Sequence, residues 1–248
     1  MLKVVSIPII FMLFGCELGD GKMEEQALFE AIEEGQLELV QSILNSRPTL
    51  VHARDEYEMT PLMVAVSSSE RSVKIIKAIL DSGADVNYKT LEGYTPLHMM
   101  VDVNGPSGTG RTPYEIANLL VKYGAKTEIR QHWGWTPLMR AALEGTDDEF
   151  IAILNVGADT EGIYPGKSLP EFTRGADILE IVISEPRKVQ ALIKAGYPVD
   201  EKHIISAESR IKEAVIEQSA GKYDKEWSNK YIADIKQSMG LIENAIKP

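Results

Sequence analysis

The sequence is poorest in the residues that carry chemistry. One cysteine, Cys16, stands in 248 residues, and a single thiol can neither close an internal disulfide nor complete a cysteine-based metal site. Histidine is nearly as scarce: His52, His98, His132 and His203 lie far apart, without the spacing of a ligand set. No Gly-x-Ser-x-Gly nucleophile turn occurs. Basic residues are in deficit, with 26 Lys and Arg against 37 Asp and Glu, a net charge of −11. A nucleic-acid binder needs a concentrated basic surface, and no basic cluster is present to override that field. These absences predict no catalytic residue, no metal, no cofactor, no small-molecule substrate and no nucleic-acid partner. The 44% hydrophobic content is ordinary for a folded chain and argues against disorder.

Long apolar runs are missing too. The longest, Val4 to Gly15, is a stretch of 12 apolar or small residues behind Lys3, too short for a bilayer core that takes about 20 residues. A charged start, an apolar middle and a small terminal residue give the layout of an export signal over residues 1–15. The quartet Leu13-Phe14-Gly15-Cys16 resembles the bacterial lipobox, although Phe14 is bulkier than usual there. That resemblance implies cleavage before Cys16, lipid on Cys16, a polar tether over residues 16–22, and a bacterial envelope protein facing the periplasm, with the outer membrane favoured over the inner. Several acyl chains would anchor the chain stably where one binds only marginally. Loss of Lys3 leaves 25 positive and 37 negative side chains, a net of −12.

Two phrases repeat in a fixed order. The first is Thr60-Pro61-Leu62-Met63, Thr95-Pro96-Leu97-His98 and Thr136-Pro137-Leu138-Met139; the second closes an apolar helical run at Gly83-Ala84, Gly124-Ala125 and Gly157-Ala158, and more loosely at Gly196-Tyr197. Threonine can cap a helix whose first turn tolerates proline, and glycine accepts the left-handed conformation that ends one. These phrases resemble the ankyrin repeat, a unit of about 33 residues with a turn and two helices. The resemblance covers residues 23–200 and implies an all-α ankyrin-repeat solenoid of five units, three of them clear. Its ends are degenerate, as capping repeats are. Ala27 to Gly35 and Leu37 to Leu44 make a first pair without the Thr-Pro-Leu opening; near the far end Asp177 to Val182 replaces that opening and Val189 to Ala195 supplies the second helix. Residues 201–248 read as two amphipathic helices with stripes at Ile204, Ile211 and Val215, then Trp227, Tyr231, Ile235, Met239, Ile242 and Ile246, closing the last repeat.

The segment Gly105-Pro-Ser-Gly-Thr-Gly110-Arg111-Thr112 nearly spells a P-loop, but arginine stands where the motif needs lysine. Successive Thr-Pro-Leu phrases are 35 and then 41 residues apart, and the excess falls at this segment, so it reads as an insertion between the two helices of one repeat. Residues 162–168 fail as a P-loop similarly, being one residue short.

In the family resembled, projecting turns and the exposed faces of the first helices grip a protein. Matching each turn carries that role to Glu56, Tyr57 and Met59, then Leu91, Glu92 and Tyr94, then His132, Trp133 and Trp135, with Ser68, Asp102, Arg140 and Glu144 on the adjoining helices. Tyrosine and tryptophan bury large area at low entropic cost, which makes them anchors at interfaces. Glu58 occupies a position where the family has glycine, and the first turn is expected to differ in shape. His98 occupies the family's histidine position, where a structural hydrogen bond is implied. The chain is also similar in architecture to ankyrin-type lipoprotein immunity proteins of secreted effectors. That implies a non-enzymatic inhibitor of a toxic effector in the periplasm, a type VI lipase or phospholipase among the classes suggested, with acidity suited to a basic partner. An envelope scaffold that holds an endogenous enzyme at the membrane is the alternative.

Overall fold

The computed structural model describes residues 20–68, 71–101, 112–161 and 175–247. The expected signal and Cys16, the insertion with Asp102, and residues 162–168 lie outside them. The described residues form two compact units, divided between Ala84 and Asp85. All regular structure among them is helical, as expected.

The first unit holds α1 (Asp20–Glu33), α2 (Leu37–Ser46), a short 3-10 helix (Pro48–His52), α3 (Pro61–Ser67) and α4 (Val73–Asp81). Helix α1 begins within residues 16–22, so the segment expected as a tether is helical from Asp20. The two pairs stack first helix on first and second on second, α1 against α3 and α2 against α4. Leu28, Ile32, Val40, Leu44, Leu62, Ile75 and Ile79 are all but fully buried between them. The Thr60 hydroxyl oxygen accepts the Met63 N–H at 3.3 Å, and Pro61 sits at the first helical position where no donor is lost.

The second unit holds α5 (Pro96–Met99), α6 (Thr112–Lys122), α7 (Pro137–Glu144), α8 (Asp147–Asn155), α9 (Ile178–Ile181), α10 (Pro186–Lys194), α11 (Glu201–Ser219) and α12 (Lys225–Ile246). First helices contact in the order α5, α7, α9, α11 and second helices in the order α6, α8, α10, α12. The C-terminal pair therefore continues both rows as an enlarged closing pair, more integral than a lid. Its entry repeats the earlier caps: Asp200 Oδ1 accepts the Lys202 N–H, and His203 Nδ1 accepts the Asp200 N–H at 3.1 Å, the arrangement Thr95 and His98 make at α5.

The apolar stripe of α11 differs from the expected one. His203, Ala207 and Ala214 are buried, whereas Val215 is exposed and Ile204 and Ile211 are only partly covered. The capping box and the Asp177 carboxylate, 3.1 Å from His203 Nε2, turn His203 inward and rotate the helix by about one position. Along α12, Ile235 and Ile242 are buried, while Trp227 stays exposed beside Tyr223 and Tyr231.

Candidate functional site

Three turns project before α3, α5 and α7, and they share one backbone pattern. The N–H groups of Asp55, Thr90 and Gln131 each donate at 3.0 Å to the carbonyl four residues on, at Met59, Tyr94 and Trp135. Within each, the N–H of Glu58, Gly93 or Gly134 donates back to the first residue's carbonyl. That closure requires a left-handed residue in fourth place, and the φ values are 60°, 83° and 84°. The first turn therefore keeps the shape of the others, and Glu58 bears the strain that glycine avoids. Two bonds to Asp55 Oδ1, from Tyr57 N–H at 2.9 Å and Met59 N–H at 2.8 Å, hold it there.

Left-handed backbone costs a non-glycine residue on the order of 1 kcal/mol, and the Arg54–Glu58 ion pair beside it is solvent-exposed on both sides and so weak. Glu58→Gly is expected to raise unfolding stability by about 1 kcal/mol, read as a higher urea midpoint at unchanged slope. A lowered midpoint would mean that the side chain contributes more than its strain removes.

In the second unit the turns at 90–94 and 131–135 are joined: His132 N–H donates to the Glu92 carbonyl at 2.7 Å. Gly93 lies where a Cβ would come within 3.0 Å of the Gln131 backbone, so this approach depends on its missing side chain. Beneath the tips an aromatic and cationic cluster is packed. Tyr94 meets His98 edge-on at 5.9 Å and Trp133 at 6.1 Å, and Trp133 lies 5.9 Å from Trp135. The Arg140 guanidinium sits 4.8 Å over the Tyr94 ring, donates to the His98 carbonyl at 2.8 Å and pairs with Glu144 at 2.9 Å.

The cluster is pinned by His98, which is fully buried. Nε2 lies 3.0 Å from the Trp135 carbonyl and must donate to it, which leaves Nδ1 to accept from the Thr95 N–H at 3.2 Å and its hydroxyl at 2.9 Å. The ring is thus held neutral. Burial chiefly lowers its pKa, to about 4; the Trp135 bond opposes this, and Arg140 and Lys89 lower it further. Burial also raises the Tyr94 phenol, with Arg140 opposing.

The expected contact residues divide accordingly. Glu56, Tyr57, Leu91, Glu92, His132 and Trp133 are exposed, Leu91 at 90% and Trp133 at 39%. Met59 and Tyr94 are half-buried. Trp135 and Arg140, expected at the contact surface, are instead buried at 7% and 8% exposure: the Trp135 main chain is tied to the preceding repeat through its carbonyl and His98, and the Arg140 guanidinium is bonded to the His98 carbonyl. Glu144 is exposed and paired to Arg140; Ser68 is half-buried and its hydroxyl accepts the Arg71 N–H. Residues that the sequence did not single out complete the frame. The Asn87 side chain donates to the Gly124 carbonyl and accepts the Lys126 N–H, and Lys188 donates to three carbonyls at the C-terminal end of α7. A turn asparagine was the available signal for the first; the second had none.

Among the described residues no three His, Cys, Asp or Glu side chains gather as a metal site, and no helix is long and apolar enough to cross a membrane. What this surface offers is contact: apolar and acidic tips on a hydrogen-bonded base.

The sequence model for ankyrin repeats matches in three copies, over residues 5–90 and 28–130. The chain is 29% identical over 164 residues to the human transient receptor potential cation channel subfamily A member 1, covering 55% of this chain and 14% of the channel. It is 29% identical over 175 residues to ankyrin repeat protein nuc-2 of Neurospora crassa, covering 58% of this chain and 16% of that protein. With a putative ankyrin repeat protein of Rickettsia bellii it shares 24% identity over 189 residues, 73% of this chain and 53% of that one. The chain thus spans about half the length of that bacterial relative and a small part of the two larger ones. Ankyrin repeats are typically protein-interaction domains. With half its length matched by the repeat's sequence model, and with caps, turns and helix pairs recurring in that order, the chain belongs to the ankyrin-repeat family.

Proposed function

We propose that this chain is a non-enzymatic binding protein, held at a bacterial envelope membrane by lipid on Cys16 and facing the periplasm. Its partner is a basic protein, and the role is that of an immunity protein that blocks a toxic secreted effector, with a type VI lipase or phospholipase as the class in view. The observation that carries the binding assignment is the joined pair of turns, which present Leu91, Glu92, His132 and Trp133 from a base fixed by the His132–Glu92 bond and the buried His98. Side chains presented from a rigid base lose little entropy on binding, so affinity is not consumed in ordering them. The net charge of −11 favours encounter with a basic protein. Occlusion of a catalytic cleft by the tips is the simplest mechanism for a surface without chemistry of its own.

Deleting the gene and exposing the cells to effector-secreting sister cells should lower survival; unchanged survival sinks the immunity role. Capture from envelope extracts that returns an active endogenous enzyme would point to a scaffold instead. Once a partner is in hand, Trp133→Ala should weaken the complex by about 2 kcal/mol, roughly thirtyfold, as a buried aromatic anchor does. An unchanged affinity would place contact elsewhere.

A further inference from the structure

Helix α11 has an outer face that nothing among the described residues covers. Its inner line, His203, Ala207 and Ala214, packs toward α9 and α12. On the opposite side Ile205, Glu208, Lys212, Val215 and Ile216 are exposed, with Ile205 at 64% and Ile216 at 59%. Ile205 and the Val215–Ile216 pair thus stand about 15 Å apart at the two ends of this face, with Glu208 and Lys212 between them. Among the described residues neither Glu208 nor Lys212 makes an ion pair, although they stand four apart on the helix, where such pairs form readily.

We propose that this face is the contact between two copies of the chain, their α11 helices crossing antiparallel about a two-fold axis at position 210. The order along the seam is Ile205, Glu208, Lys212, Val215, with spacings of three, four and three residues that keep all four on one side. A two-fold axis at 210 sets Ile205 on Val215 of the second copy and Glu208 on Lys212 of the second copy, each pairing occurring twice. An isologous contact demands this self-complementarity.

Charge distribution selects the occupant. Residues 201–248 carry eight basic and eight acidic side chains, so the whole net charge of −11 lies in residues 1–200. A basic protein or a nucleic acid therefore finds no complementary field on this pair, whereas a second copy meets it without like-charge opposition. A lipid surface would cover the aliphatics but leave the central Glu208 and Lys212 unpaired; a second copy satisfies both. A single helix pair makes a small interface, so the association is a weak, reversible one.

Sedimentation equilibrium of the full chain in non-ionic detergent tests this. The wild type should pass between monomer and dimer as its concentration rises to about 100 μM, and Glu208→Lys and Lys212→Glu should each weaken dimerisation about tenfold or more. The double exchange, Glu208→Lys with Lys212→Glu, should restore it, since the pairs reform with signs reversed. All four positions are exposed, and unchanged helical circular dichroism confirms folding. A wild type that stays monomeric, a dimer that neither single variant weakens, or a double variant no better than the singles would each overturn the proposal. It stands independently of the partner assigned to the turns.

Discussion

Replacing Lys188 by methionine is expected to destabilise the chain by about 3 kcal/mol, the loss typical when one partner is removed from a buried charged network. The side chain is 1% exposed, yet its ammonium is fully engaged. It donates to the carbonyls of Ala141, Ala142 and Gly145 at 3.2, 3.3 and 2.8 Å, pairs with Glu185 at 2.7 Å and lies 5.7 Å over the Phe150 ring. The end of a helix leaves its last carbonyls without intrahelical donors, and a cation is the favoured group at that negative pole. Helix α7 uses a residue from the next repeat for this, so Lys188 is both its cap and a strut between repeats. Methionine matches the stem in volume, and the expected loss is therefore electrostatic and hydrogen-bonding in origin rather than a cavity. Burial already raises the Glu185 pKa, with Lys188 opposing, so the variant should lift it further. Urea unfolding at pH 7 measures the effect; a loss below about 1 kcal/mol would show that water replaces the ammonium at those carbonyls. Glu185→Gln is the comparison, with a smaller expected loss because that carboxylate is partly solvated.

Acidification should cost nearly as much through one ring. His98 is neutral when folded, with a pKa of about 4 against 6.5 when unfolded. Between those values the unfolded chain binds the extra proton, so stability falls as pH falls. The contribution is complete above pH 6.5, and by pH 4 about 3 kcal/mol of it is gone. Asp177 also has a depressed pKa: although burial alone would raise it, His203 and Lys202 outweigh that, and its loss sets in as pH falls through the ordinary carboxylate value of 3.8. The window from 6.5 to 4 therefore reports His98, partly offset by Glu185, whose raised pKa makes the folded chain take up that proton first and so adds stability as pH falls. His98→Gln should be less stable at pH 7 and show a flatter decline through that window. An equally steep decline in the variant would assign the dependence to other groups.

The Thr-Pro-Leu caps, the glycine helix stops and the helix pairing were legible in the sequence because each rests on bonds spanning no more than about four residues. Thr60, Thr95 and Thr136 cap their helices, and Gly83, Gly124 and Gly157 are left-handed with φ near 90°. The first turn was not legible. Glycine is the cheapest residue for a left-handed site but not the only one, and the bonds from Asp55 suffice to hold Glu58 in it.

Which aromatic faces a partner was beyond the sequence altogether. Trp133 and Trp135 are two residues apart and chemically alike, yet one is exposed and the other is buried, in a turn whose main chain His98, 37 residues away, ties to the preceding repeat through the Trp135 carbonyl. Arg140 is drawn inward by a carbonyl 42 residues away, and Lys188 by carbonyls 43 to 47 residues away. Composition and local order determined that the chain is an acidic, cysteine-poor array of capped helix pairs. The stacking of one pair on the next decided which of its polar and aromatic groups remain for a partner, because burial is set by neighbours that local spacing does not encode.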